Sequence, residues 1–176
     1  ELHCGLCILV CPWTQKYIMS SQKEYGFPSI DVATQSNLEE ILLLQHLAYL
    51  SEAKLYNDYT IPPLLQTLDE FKIEAQTTVV LKATADRKIV GSVRACQQGD
   101  TCYIGRLMVH PDYQNQGIGK KLMHSIEKCF SGVRLELFTG HLSEKNLTLY
   151  ERMSYQRFKN VDITDNLQFI YLEKRI

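Results

Sequence analysis

The sequence carries almost no net charge: 19 Lys and Arg against 20 Asp and Glu leave −1 at pH 7. Without an excess of either sign it lacks the electrostatic footprint that nucleic acid or an anionic membrane surface selects, so neither is an expected partner. It also lacks any apolar run near the roughly 18 residues that a membrane span needs. The longest candidate, Ile41-Leu42-Leu43-Leu44, is broken by Gln45 and His46. Internal repeats and low-complexity tracts are missing. A secreted disulfide framework is missing too, because Cys4, Cys7 and Cys11 crowd one end while Cys96, Cys102 and Cys129 stand singly in expected strands or a helix. Free thiols in a reducing cytoplasm are the simpler reading, and a cytoplasmic location is expected.

Two familiar phosphate loops are also absent. A Walker loop needs Gly, four residues, then Gly-Lys-Ser/Thr, but Gln114 stands at the first Gly and Lys121 follows Lys120. The dinucleotide fingerprint needs a Gly three residues after Gly119, and that position is Leu122.

What is present is a chain of 176 residues, 45% apolar and 22% charged, ordinary values for a globular protein. Residues 1–28 read as an atypical leader and 29–176 as a single domain. Cys4-x2-Cys7-x3-Cys11-Pro12 is similar to the last three cysteines of a bacterial ferredoxin-type cluster motif. The opening cysteine of that motif would fall at Glu1 and no second set exists, so no cluster and no metal are expected. No basic residues precede the apolar stretch, which argues against a signal peptide. Met19-Ser20-Ser21-Gln22-Lys23 looks like an ordinary polar start, so residues 1–18 are expected to precede the natural one.

From Ser29 the periodicities alternate. Ser29 to Ala33 reads as a strand, and Ser36 with Glu39 as a capping box opening a helix to about Tyr56. Pro62-Pro63 opens a second helix to about Ala75. Thr77 to Thr84, Ile89 to Gln97 and Thr101 to Val109 read as a three-stranded antiparallel meander joined by polar turns. A helix follows over 117–130, with Ile118, Leu122, Ile126 and Phe130 on one face. Val133 to Phe138 is a strand, 143–153 a helix, and Tyr155 to Lys159 with Leu167 to Glu173 close the chain as strands.

The most informative stretch is residues 106–120. An apolar strand, Leu107-Met108-Val109, stops at Pro111, crosses a polar loop and delivers Gly117-Ile118-Gly119 into a helix. Backbone N–H groups converge at such a helix start, the dipole favours an anion, and glycine lets it come close. That chemistry suits a pyrophosphate. The pattern Gln/Arg-x-x-Gly-x-Gly/Ala is met by Gln114-Asn115-Gln116-Gly117-Ile118-Gly119, with Val109-His110-Pro111 ahead. The segment resembles the acetyl-CoA signature of the GCN5-related N-acetyltransferase (GNAT) superfamily. A second match, Ser143 to Tyr155 with Asn146-Leu147-Thr148-Leu149-Tyr150-Glu151, resembles the family's Asn…Leu-Tyr-Glu segment.

The resemblance spans roughly residues 29–175 and implies an α/β (α+β) GNAT fold, a mixed, mostly antiparallel sheet flanked by helices and splayed into a V-shaped acetyl-CoA cleft. It implies main-chain contacts from Leu107, Met108 and Val109 to the pantetheine arm and thioester carbonyl. It also implies a diphosphate held by the amides of Asn115, Gln116, Gly117, Ile118, Gly119 and Lys120, with Gln114 beside them. Ser143, Asn146 and Tyr150 share one helical face, which the resemblance turns toward the coenzyme thiol, with Tyr150 protonating the departing thiolate. Two departures stand out: Ser143 occupies a position where relatives carry Asn, and Ser154 replaces a Gly that ends the helix left-handed.

An alkyl amine is protonated by roughly three orders of magnitude at pH 7, so attack needs a proton acceptor. Glu136, His110 and His141 are the candidates, in that order. The expected activity is acetyl-CoA-dependent N-acetylation of a primary amine by direct attack in a ternary complex, with a small-molecule or peptide acceptor. A covalent route through Cys102 or Cys129 is disfavoured, since neither has a His beside it. The alternatives are an acyl-CoA-binding sensor without turnover and a protein-directed acetyltransferase. Tyr49, Glu52, Tyr56, Asp58, Tyr59 and Glu70 form an aromatic and acidic set on the first helices, compatible with a cationic amine. The chain is expected to act as a monomer or homodimer.

Overall fold

The computed structural model describes residues 28–176. The leader, its Cys4/Cys7/Cys11 motif and the Met19 start lie outside the described residues. The chain forms β1 (Ser29–Val32), a 3-10 turn (Gln35–Asn37), α1 (Leu38–Tyr56), α2 (Pro62–Leu65), α3 (Leu68–Glu74), β2 (Val79–Ala85), β3 (Lys88–Gln98) and β4 (Thr101–Val109). A second 3-10 turn (Pro111–Tyr113) precedes α4 (Ile118–Glu127), β5 (Arg134–Gly140), α5 (Glu144–Arg152), β6 (Gln156–Thr164) and β7 (Leu167–Arg175). One seven-stranded sheet results, in the order β1-β2-β3-β4-β5-β7-β6, antiparallel throughout except for the parallel β4–β5 pair. The mixed, mostly antiparallel sheet is the expected fold class. Among the described residues no helix is long and apolar enough to cross a membrane.

The two sheet faces bury separate cores. Ile118, Leu122 and Ile126 of α4, all but sealed from solvent, pack with Leu81, Val93, Ile104 and Leu135 on one face. Each such side chain contributes about 2 kcal/mol relative to an exposed position. Phe130 lies beyond the end of α4 but packs against the same cluster. On the other face Leu38, Ile41, Leu42 and Phe71 meet Val80, Ile89 and Met108.

Local boundaries differ from expectation at two caps and at one residue drawn off by a distant partner. The cap of α1 is not Ser36 with Glu39: Thr34 takes the extended conformation and its amide donates to Asn37 Oδ1 at 2.9 Å, so a 3-10 turn leads into the helix. The second helix is two. Thr67 accepts from the Glu70 amide at 3.3 Å while Glu70 Oε2 accepts from the Thr67 amide at 2.8 Å, a capping box that restarts the chain as α3. The break also frees Gln66 for a buried cluster. Arg94, 2% exposed, donates to Gln45 at 2.7 Å, Gln66 at 3.1 Å and Glu74 at 2.9 Å, and stacks 3.5 Å over Phe71. This network ties α1, α2 and α3 to β3.

Candidate active site

The site is built around a break in the sheet. β3 and β4 pair as Ser92↔Met108 and then Arg94↔Gly105, so Arg106 and Leu107 together oppose Val93. Arg106 takes φ 51°, the left-handed region that non-glycine residues enter at a cost. The extra residue inverts the side-chain phase: Ile104 and, past the bulge, Leu107 and Val109 all face the α4 core, while Met108 faces the other. The same distortion bends β4 away from its parallel neighbour. Pairing with β5 runs only from Thr101↔Arg134 to Tyr103↔Glu136. Beyond it β4 continues to Val109 and β5 to Gly140, leaving two facing backbone edges apart.

At the far end of β4 the chain turns through residues 110–117 into α4. Asn115 (φ 60°) and Gly117 (φ 80°) are left-handed, and an atom added at the Gly117 Cβ position would meet nothing within 4 Å. Lys121 is the first amide to find a helical acceptor, the Gly117 carbonyl at 3.0 Å, so the amides of Ile118, Gly119 and Lys120 lie in the unpaired first turn. Gln114 Nε2 donates to the Val109 carbonyl at 3.3 Å and Gln116 Nε2 to the Asp112 carbonyl at 3.3 Å, which closes the loop on itself. An open turn of donors at a helix start has the chemistry that suits a phosphate group.

Across the cleft, α5 meets the second half of α1. Ser143 Oγ donates to Glu52 Oε2, and Asn146 Nδ2 donates to Glu52 Oε1 at 3.4 Å. The Tyr56 hydroxyl accepts the Leu142 amide at 2.7 Å. Tyr150 is buried, edge-on to Tyr155 at 6.1 Å, and its hydroxyl has no hydrogen-bond partner among the described residues. Burial pushes its phenol well above the ordinary value of 10.0, with the nearby Tyr49 and Glu52 acting in the same direction. Tyr49 is also raised by burial, against the pull of Arg106, whose guanidinium lies 5.8 Å from its ring centre.

A sequence model described as the acetyltransferase (GNAT) domain matches residues 75–157. That match holds the broken strand, the donor turn and α5 in one family pattern. Residues 75–157 thus carry the GNAT domain pattern. Among curated relatives it is 22% identical to an uncharacterized N-acetyltransferase, ycf52, of Pyropia yezoensis, over 72% of this chain and 85% of that one. Its fold is similar to the ribosomal-protein-S18-alanine N-acetyltransferase of Escherichia coli (TM-score 0.68, 19% identity, 85% of this chain and 94% of that one). It is also similar to a phosphinothricin acetyltransferase from Sinorhizobium meliloti solved with acetyl-CoA (TM-score 0.69, 13% identity, 86% and 89% covered).

The residues named from sequence fall into different settings. Leu107, Met108 and Val109 line the parted edge of β4, and Gln114 to Lys120 form the turn. Ser143, the N-cap of α5, and Asn146 in its first turn have their side chains engaged by Glu52, a partner the sequence did not suggest. Glu136 pairs across from Tyr103, where the strands are still joined, and is bound by Arg134, which also holds Glu173. His110 caps the second 3-10 turn, its Nδ1 accepting the Asp112 amide at 3.2 Å. His141 Nδ1 accepts the Gln168 amide at 3.1 Å. Of the acceptor-side set, Tyr49, Glu52 and Tyr56 converge on the cleft. Glu70 is the α3 cap, Asp58 holds the Thr60 amide at 2.7 Å, and Tyr59 is exposed. Arg106 was missed, since nothing in Gly105-Arg106 marks a bulge.

Cys102 is wholly buried and its thiol is pushed up to about 12 by desolvation, so it carries no thiolate at neutral pH. Ser154 takes φ 69°, the left-handed helix end that the family pattern assigns to Gly.

Proposed function

We propose that this chain is an acetyl-CoA-dependent N-acetyltransferase that moves the acetyl group to a primary amine by direct attack in a ternary complex. The observation that carries the reading is the parting of β4 from β5 beyond Tyr103↔Glu136, with an unpaired donor turn at the end of the parted strand. The turn fits a diphosphate, because Gly117 leaves its amide side open where any side chain would intrude. Asn115 to Lys120 would hold that group through their main chain with Gln114 beside them, and Leu107 to Val109 would take the pantetheine arm and the acetyl carbonyl. Bound there, acetyl-CoA supplies an activated acetyl thioester. A fixed N–H facing the carbonyl oxygen is worth ~3 kcal/mol in an acyl transfer.

The amine nitrogen forms its bond to the acetyl carbon as the C–S bond breaks, and Tyr150 gives its proton to the leaving sulfur. Burial keeps that phenol protonated throughout the neutral range, as an acid must be. Glu136 and His110 are candidates for taking the amine proton through water, but Arg134 already engages the first and the Asp112 amide the second. The reading includes action in the cytoplasm, where Cys96, Cys102 and Cys129 stay reduced, as a monomer or homodimer.

Calorimetry with acetyl-CoA, followed by a screen for released CoA with polyamines, aminoglycosides, amino acids and short peptides, tests the proposal. Tyr150→Phe should keep coenzyme binding and lose about 10²-fold or more in turnover. Absence of both heat and thermal protection with acetyl-CoA overturns the reading; binding without transfer to any amine points to the sensor.

A further inference from the structure

Glu52 is the one carboxylate on α1 that the fold draws into the cleft, and its surroundings set it apart from the acids named from sequence. It lies 91 and 94 residues from the two groups that hold it, Ser143 and Asn146. Those contacts occupy one lone pair on each oxygen. A carboxylate has about four acceptor positions, so each oxygen keeps one more. Ser143 is also the N-cap of α5, so the start of that helix lies beside the carboxylate. Three phenols share the space: Tyr49 and Tyr56 from α1 and Tyr150 from α5, each raised by burial and each sensing the Glu52 charge. The other charged or titratable groups around them are Arg106 of β4, whose guanidinium lies over Tyr49, Arg94 of β3, whose charge also acts on Tyr49, His141, tilted against Tyr56 at 5.8 Å, and Tyr155, edge-on to Tyr150 at 6.1 Å.

A negative charge set among three tyrosines is a receptor for an organic cation. The same pair sets a carboxylate, with acceptor positions to spare, beside a phenol that burial keeps protonated. Resting on the acetyltransferase reading above, we infer that Glu52 receives the ammonium group of a primary alkyl amine and accepts its proton.

The step balances as follows. R–NH3+ gives one proton to the Glu52 carboxylate and becomes R–NH2. The amine lone pair forms the C–N bond to the acetyl carbon, and the C–S electrons leave with sulfur, which takes the Tyr150 phenolic proton. The phenolate recovers a proton from the second N–H of the new amide nitrogen. Glu52 releases the first proton to solvent as product departs, so the sum is an amide, a free thiol and one proton. Ser143 and Asn146 act as positioning residues for the carboxylate.

The test compares wild type with Glu52→Gln, which keeps the size of the side chain and an oxygen for Ser143 but removes charge and basicity. Two probes of similar size are used, ethylamine and trifluoroethylamine; the second is already the free base at neutral pH. With saturating acetyl-CoA, Glu52→Gln should lose about 10²-fold in kcat/KM for ethylamine and lose its acid limb, while trifluoroethylamine falls less than about threefold. Independently of turnover, saturation-transfer NMR should detect ethylammonium on the wild type and not on Glu52→Gln. Equal losses on both amines, no loss on either, no transfer to ethylamine by a wild type that binds acetyl-CoA, or an unchanged NMR signal in the variant each overturn the inference. A wild type that fails to bind acetyl-CoA overturns instead the acetyltransferase reading, and calorimetry separates the two cases.

Discussion

The Tyr56 hydroxyl accepts the Leu142 amide at 2.7 Å while lying directly in front of Gly140, where a Cβ would collide with its oxygen and ring. Gly140 is the last residue of β5 and Leu142 leads into α5, so this contact pins the end of α1 to the strand and helix that bear the site. Gly140→Ala should cost about 1–3 kcal/mol in urea unfolding, the usual penalty for overpacking a tight contact. The cost should shrink in a Tyr56→Ala background, because the colliding atoms are gone. A double-mutant cycle with no coupling would show that the approach is not what demands glycine.

Most local signals were legible in the sequence and long-range ones were not, although the Thr34–Asn37 and Thr67–Glu70 caps, each three residues apart, went unread. The strand, donor turn and helix around Gly117 are specified by neighbours a few residues apart, and Ser154 was marked by its departure from Gly. The mixed, largely antiparallel sheet followed from the resemblance to the GNAT family. The split between α2 and α3 did not, since Gln66 leaves the helix for Arg94, 28 residues away. The bulge at Arg106 depends on pairing with β3, and the role of Glu52 on partners more than 90 residues distant. Glu70 shows the converse: an acid assigned to the acceptor region from its type is consumed by a cap three residues back.

Gly117 separates folding from binding. Its φ of 80° favours glycine, yet the space its Cβ would enter holds no protein atom. Gly117→Ala should therefore lose only about 1–2 kcal/mol of stability, the left-handed penalty. Its affinity for acetyl-CoA should drop by about tenfold or more, equivalent to ~1.4 kcal/mol of lost diphosphate contact. Thermal melting and calorimetry on the same preparation check both parts, and undiminished affinity would remove Gly117 from the coenzyme site.

Arg94 is the buried cation on which three polar side chains depend. Arg94→Met keeps the length and the contact with Phe71 but leaves Gln45 and Gln66 short of a donor and Glu74 without its charge partner. Removing one member of such a cluster costs about 3 kcal/mol, because the remaining polar groups stay desolvated. Glu74→Gln should cost much less, since Glu74 is 35% exposed and its Gln66 and Arg94 contacts can be kept by an amide oxygen. Urea titrations rank the two; equal costs would mean that the charge, not the arginine's hydrogen bonds, holds the cluster.

Alkaline pH should destabilise the fold through its buried phenols. Tyr155, 2% exposed, donates to Glu127 Oε1 at 2.9 Å, and desolvation with the Glu127 charge raises its pKa well above 10.0; Tyr150 is raised by desolvation as well. Above the unfolded phenol value the unfolded chain loses protons that the folded chain keeps, so stability is intact below about pH 10 and declines as pH rises past it. Each phenol contributes a slope of about 1.4 kcal/mol per pH unit in that window. Tyr155→Phe should lower stability by about 1–2 kcal/mol at neutral pH, where Glu127 loses a donor but keeps Lys174 at 2.9 Å. The same variant should flatten the alkaline decline by one phenol's slope. Unfolding free energies at ~pH 8 and ~pH 11 for both proteins measure the difference, and parallel declines would mean that Tyr155 ionises as readily in the folded chain as in the unfolded one.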